Sequence, residues 1–200
     1  NDTTVFFKLY APGKNRVFVL TSLNDYMPDA QNAMTRTPGG AWWFTEFTVP
    51  AGQAFNYQYL IDGNLRVADP YSTQILDPWN DGYISAVTYP NLPSYPTGKT
   101  TGNVTLYQTA KTPYQWKNTT FQAPNQEELV IYELLIRDFV TSRNYQTLID
   151  TLDYIDRLGV NAIELMPNSD FEGNSSWGYN PMFHMALDKY YGTPDKFKEF

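Results

Sequence analysis

The strongest constraint on this chain is a change of hydrophobic period near residue 127. Over 5–87, short alternating or aromatic runs ("TVFFKLYAP", "RVFVLTS", "AWWFTEFTVP", "FNYQYLIDG", "LRVADP", "YISAVTYP") are separated by Pro12-Gly13, Pro38-Gly39-Gly40, Ala51-Gly52 and Asp62-Gly63-Asn64. Such spacing predicts six or more strands and an all-β sandwich. Asp62-Gly63 between "NYQYLI" and "NLRVA" predicts a hairpin, because a type I′ turn needs positive φ, which Gly supplies without steric cost. After 127, "LVIYELLI" and "VNAIELMP" read as strands buried on both faces. Between them Leu148, Leu152, Ile155 and Leu158 recur at helical spacing, with Asn144 as a start cap and Gly159 as a stop. That is a parallel βαβ unit. Thr193-Pro194-Asp195 opens a further helix.

The stretch in between, 91–126, is rich in Pro, Tyr, Thr and Asn, and reads as a semi-rigid connector holding one hairpin, "VTLYQTA" with "YQWKNTTF". The expected organisation is therefore a sandwich over 1–90, a connector over 91–126 and a β/α segment over 127–200. A hydrophobic content of 42% with 16% aromatics supplies enough core for this. The balance of 14 Lys and Arg against 21 Asp and Glu, net −7, offers no basic surface for a phosphate backbone, so nucleic acid is not an expected partner. The apolar runs are too short to span a bilayer, so no membrane association is expected either. With zero cysteines, thiolate zinc sites and cysteine nucleophiles are excluded while the compartment stays open, a secreted, periplasmic or cell-surface setting being the expectation. A start at Asn1 rather than Met reads as processed or trimmed.

"LGVNAIELMP" followed by "WGYNPMFHMALDKYYGTP" resembles the second barrel strand and following loop of the α-amylase family, glycoside hydrolase family 13. "VIYELLIRDF" resembles that family's first barrel strand, and "AWWFTEFTVPAGQAFNYQYLIDGNLRVADP" resembles the immunoglobulin-like, carbohydrate-binding module family 48 type of N-terminal module. The resemblance implies an immunoglobulin-like sandwich followed by the first units of a (β/α)₈ barrel, α-glucan substrates of the starch and glycogen type, and a retaining mechanism. It also implies that the catalytic carboxylates follow the fourth, fifth and seventh strands, so none is expected before Phe200. A complete barrel takes about 250 residues, many more than 127–200 supplies, and the barrel segment is read as truncated. Missing barrel sequence or neighbouring chains are expected to cover its open faces. No cofactor is expected; the family implies that calcium is an option in a full-length enzyme, without a ligand set in this chain.

Within 177–194, read as a long irregular loop, Tyr179 takes the position of a family tyrosine that stacks on the sugar ring, and an aromatic face suits the apolar face of a pyranose. Trp177 either shares that role or packs beneath the loop. His184, the sole histidine, either binds substrate or packs in the loop, and alone it cannot build a histidine-rich metal site. Glu133 and Glu164 should lie in neighbouring strands, either as an acid/base pair or bridged to Arg137, Arg157 or backbone, while Asp170 and Glu172 read as solvated.

In the sandwich, the family's glucan-contacting Trp, Lys and Trp are replaced by Tyr26, Gln58 and Leu65, which implies weak or absent glucan binding there. Trp42 and Trp43 are adjacent in one strand and must face opposite sides, so one at most is core. With Tyr26 they are the candidate glucan contacts of this module, which otherwise docks and stabilises. Two functions follow: part of an α-glucan-acting glycosidase, or a non-catalytic α-glucan-binding module.

Overall fold

The structure is a computed structural model that describes residues 3–200. It is sheet-rich with few and short helices, and it divides into two compact units. One takes in Asn1–Asp81 and Pro93–Thr112, the other Gly82–Leu92 and Pro113–Phe200.

The first unit has two antiparallel sheets. Strands β1 (Thr4–Tyr10), β4 (Trp42–Thr48) and β3 (Thr35–Arg36) form one, in the order β1-β4-β3. Strands β2 (Val17–Thr21), β5 (Ala54–Ile61), β8 (Val104–Gln108) and β7 (Ile75–Leu76) form the other in that order, and β6 (Leu65–Val67) pairs with β5. Alternation in β1 sends Val5, Phe7 and Leu9 inward, where they meet Val17, Val19, Phe55, Tyr57 and Tyr59 of the facing sheet in one core. The β5–β6 turn has Asp62 at φ 51° and Gly63 at φ 82°, two successive positive values as in a type I′ turn, and Ile61 pairs with Leu65 so that Asn64 joins them in the loop. Asp62 also accepts from the backbone N–H groups of Asn15 and Arg16, so the turn is held to the β2 entry.

Two expectations about strands do not hold. "VTLYQTA" pairs with β5 and β7 rather than with "YQWKNTTF", because Val104 and Thr105 are buried in that ladder. "YISAVTYP" folds as turns: the Ser85 carbonyl accepts from Thr88 and Tyr89 and its hydroxyl from Val87, giving the backbone a local alternative to a sheet.

In the second unit, β9 (Ile131–Leu134) and β10 (Ala162–Leu165) are parallel and in register, Glu133 opposite Glu164. The Asn161 side chain pins their start, accepting from Val130 N–H and donating to Glu128 O. Between them run α1 (Ile136–Phe139), α2 (Tyr145–Ile149) and α3 (Leu152–Arg157). The single helix expected from the spacing is interrupted at Thr151, which stands as the N-terminal flank of α3 and whose hydroxyl donates to the Leu148 carbonyl. Asn144 caps α2 by accepting from Thr147 N–H, and Gly159 closes α3 at φ 79°. Leu148 and Ile155 are core, whereas Leu158 is exposed. Ile131 is exposed too, so β9 is not buried on both faces; its one sheet partner among the described residues is β10. Helix α4 (Pro194–Glu199) starts with the Thr193 hydroxyl accepting from Lys196 N–H. Among the described residues no helix is long and apolar enough to cross a membrane.

Candidate functional site

The stretch 177–194 is largely a hairpin arm and not an irregular loop. Strand β11 (Ser169–Phe171) pairs antiparallel with β12 (Pro181–Leu187), with register shifts on both sides of Asp170. Ser169 faces Leu187 while Asp170 faces Phe183, so His184, Met185 and Ala186 bulge out of β12. The bulge is held by the Ser169 hydroxyl, which donates to the His184 carbonyl.

The hairpin tip is fixed by its glycine. Gly178 has φ 89°, and a Cβ there would lie 1.9 Å from the Pro167 carbonyl oxygen, so no other residue fits. Its N–H donates to the Ser176 hydroxyl, which bonds Asn180 in turn. Burying Gly178 leaves both neighbours, Trp177 and Tyr179, exposed. His184 is exposed on the returning strand. The hairpin thus offers two aromatic rings, a phenol hydroxyl and an imidazole to solvent, groups suited to stacking and hydrogen bonding with a flat polar ring.

Beneath it lies a buried ionic cluster. Asp170 and Lys189 are 3.3 Å apart and both buried, which corrects the expectation that Asp170 is solvated. Asp188 is buried beside them, accepting from Tyr190 N–H and Phe171 N–H, while its own N–H donates to Asn168 O. Burial is the main cause that raises Asp188 to about 7, with the charge of Asp170 adding to it. Lys189 and the two N–H groups oppose that rise. Asp188 was not singled out in the sequence; the signal was a charged Asp-Lys pair inside an otherwise aromatic run.

Glu133 and Glu164 stand side by side and exposed, and Arg137 turns to Asp138 instead of bridging to them. In the first unit Tyr26 is buried, its hydroxyl bonded to Asn56, and Trp43 is buried with its indole N–H on Ala11 O. Neither is open to a sugar, whereas Trp42 is partly exposed, with the Lys8 ammonium over its ring. Gln58 is buried, its amide held by Thr100, Thr101 and Asn103. No group of three or more His, Cys, Asp or Glu that could hold a metal occurs among the described residues.

No protein-family model matches the chain. It is 29% identical over 199 residues to malto-oligosyltrehalose trehalohydrolase of Saccharolobus solfataricus, covering 100% of this chain and 30% of that protein. The chain resembles a segment of that enzyme. It is also 29% identical over 210 residues to the 1,4-alpha-glucan branching enzyme GlgB of Photobacterium profundum, covering 98% of this chain and 26% of that one. The chain therefore spans less than a third of the length of these curated relatives. Its fold matches a crystal structure from Salmonella typhimurium, provisionally an alpha amylase, with TM-score 0.74 and 24% identity over 98% of this chain and 28% of that one. The Group B Streptococcus pullulanase SAP, solved with maltotetraose, matches with TM-score 0.65 and 19% identity over 98% and 28%.

Proposed function

We propose that the chain is the portion of an α-amylase-family glycosidase that comprises an immunoglobulin-like sandwich and the opening β/α units of a (β/α)₈ barrel, in an enzyme acting on α-glucans. The observation that carries this reading is the β11–β12 hairpin following parallel strand β10, with Trp177 and Tyr179 exposed on either side of a buried glycine. Similarity along the whole chain to enzymes named for maltooligosaccharide and 1,4-alpha-glucan chemistry supports it. In this reading Tyr179 stacks on a glucosyl ring, Trp177 extends the surface and His184 hydrogen-bonds hydroxyls.

A retaining mechanism needs two carboxyl groups roughly 5 Å apart, one as nucleophile and one as acid. The reading assigns both to barrel strands other than β9 and β10, and leaves the 200-residue chain without turnover of its own. Further barrel sequence would pair the free edges of β9 and β10 and cover Ile131. The test is Tyr179→Ala in the complete protein that carries this segment, assayed on maltooligosaccharides. A fall in kcat/KM of at least about tenfold is expected from the lost aromatic contact; unchanged kcat/KM removes the hairpin from the site. Turnover by the 200-residue chain that Glu133→Gln or Glu164→Gln abolishes would instead promote that pair to catalysts.

A further inference from the structure

On the outer face of the β1–β4 pair, where an antiparallel sheet ordinarily shows polar side chains, four aromatic rings face solvent. Phe6 is 59% exposed, Tyr10 57%, Trp42 38% and Phe44 37%. Strand register places them together: Tyr10 lies opposite Trp42, Lys8 opposite Phe44 and Phe6 opposite Glu46. Tyr10 and Trp42 have ring centroids 4.9 Å apart, while Phe6 and Phe44 stack at 6.2 Å with planes 22° apart. Between the two pairs sits Lys8, its ammonium 4.3 Å from the Trp42 ring centre. A recess of about 330 Å³ opens among Phe6, Lys8, Thr37, Trp42, Trp43 and Phe44. These rings are not needed for the fold, since Val5, Phe7, Leu9 and Trp43 supply the core from the inward positions of the same strands.

Chemistry separates a sugar from a protein as the occupant. The core of a protein interface is depleted of charge, and of Lys and Glu in particular; here Lys8 is central and Glu46 adjoins Phe6. The outward positions of β1 and β4 carry Thr4, Phe6, Lys8, Tyr10, Trp42, Phe44, Glu46 and Thr48, with no aliphatic side chain among them. Flat rings interleaved with hydrogen-bonding groups match a pyranose, which has apolar C–H faces and a rim of hydroxyls. From Phe6 to Tyr10 the strand advances about 13 Å, a length for a short oligosaccharide and not a single ring.

We propose that the outer face of β1 and β4, with Tyr10/Trp42 and Phe6/Phe44 as stacking pairs and Lys8 as donor, is a binding platform for neutral α-glucan chains. It is carried by the sheet opposite the one that holds Gln58 and Leu65. The α configuration of the ligand rests on the reading given under Proposed function.

The test is affinity electrophoresis of the 200-residue chain in gels containing glycogen, or hydroxyethyl cellulose as the β-linked counterpart. Retardation by glycogen is expected, weakened at least tenfold in Tyr10→Ala/Trp42→Ser and in Lys8→Ala/Trp42→Ser, and changed less than twofold in Tyr71→Ala/Trp79→Ala, exposed aromatics outside β1 and β4. A readout free of substitutions is the indole N–H resonance of Trp42 on titrating maltoheptaose; it should move while that of Trp79, outside β1 and β4, stays. Retardation unchanged in variants with native melting profiles, or a static Trp42 resonance while glycogen retards the chain, overturns the platform. No retardation in either gel also overturns it, leaving the hairpin reading intact. Retardation by the β-linked polymer alone, lost in the platform variants, overturns the α assignment and the reading on which it rests. Loss of self-association without any sugar effect overturns it in favour of a protein-docking face.

Discussion

Replacing Gln58 with Ala should destabilise the first unit more than any other single polar truncation in its second sheet. Gln58 is fully buried in β5. Its Nε2 donates to Thr101 O at 2.8 Å and Asn103 O at 2.7 Å, and its Oε1 accepts from the Thr100 hydroxyl at 2.5 Å. Thr100 also accepts from Arg66, so the amide organises the whole segment leading into β8. At about 1 kcal/mol for each of three hydrogen bonds, the net loss is about 3 kcal/mol. For a unit of this size that is a fall in melting temperature of roughly 12–24 °C. Gln58→Glu should be worse than Ala, because it keeps an acceptor for Thr100 but sets a carboxylate against two carbonyl oxygens. Gln58→Lys restores donors to those carbonyls yet leaves Thr100 without its acceptor and buries a charge, so it should not recover the parent stability. Calorimetry with near-UV circular dichroism reads the transition. A melting point within 2 °C of the parent for Ala, or Glu more stable than Ala, would refute the reasoning.

Gly178→Ala should detach the hairpin tip from Pro167, costing at least about 1–2 kcal/mol from the left-handed backbone alone, and hydrogen exchange at 175–181 should rise; unaltered protection there would count against the contact. Lys189→Met removes the ammonium 3.3 Å from buried Asp170, with an expected cost of about 3–5 kcal/mol in urea unfolding of the second unit. Asp188, raised to about 7 in the fold, binds its proton more tightly folded than unfolded. Its contribution is greatest below about pH 4, falls as pH climbs towards 7 and is level above, by at most about 4 kcal/mol. Asp188→Asn should abolish that slope, and a variant with the parent's pH profile would show that Asp188 is ionised throughout.

Much of the fold was legible in the sequence where one local rule met no competitor. The β5–β6 turn, the Asn144 and Thr193 caps and the Trp42/Trp43 split each rest on backbone geometry that a few residues determine. Legibility failed where a strand's partner lay far along the chain: "VTLYQTA" found β5 and β7 although a nearer segment had the right composition. It failed again at β12, since a strand carrying a three-residue bulge has no regular alternation to read. In the candidate site Tyr179, Trp177 and His184 were singled out and are exposed on one hairpin. Tyr26 was singled out as an aromatic, and nothing in its neighbours announced its bond to Asn56 thirty residues on. The aromatic face of β1 and β4 was written in the alternation of "TVFFKLY", but Phe6 and Tyr10 become a platform only once Phe44 and Trp42 stand beside them.

The proposed action on α-glucans with retention meets its most direct test in the complete protein carrying this segment, incubated with maltoheptaose and pullulan and followed by proton NMR from the first turnover. Every newly formed linkage or reducing end should carry the α configuration before mutarotation sets in, whether the glucosyl group passes to water or to another sugar. Products of β configuration, or no turnover of either α-glucan, would contradict it.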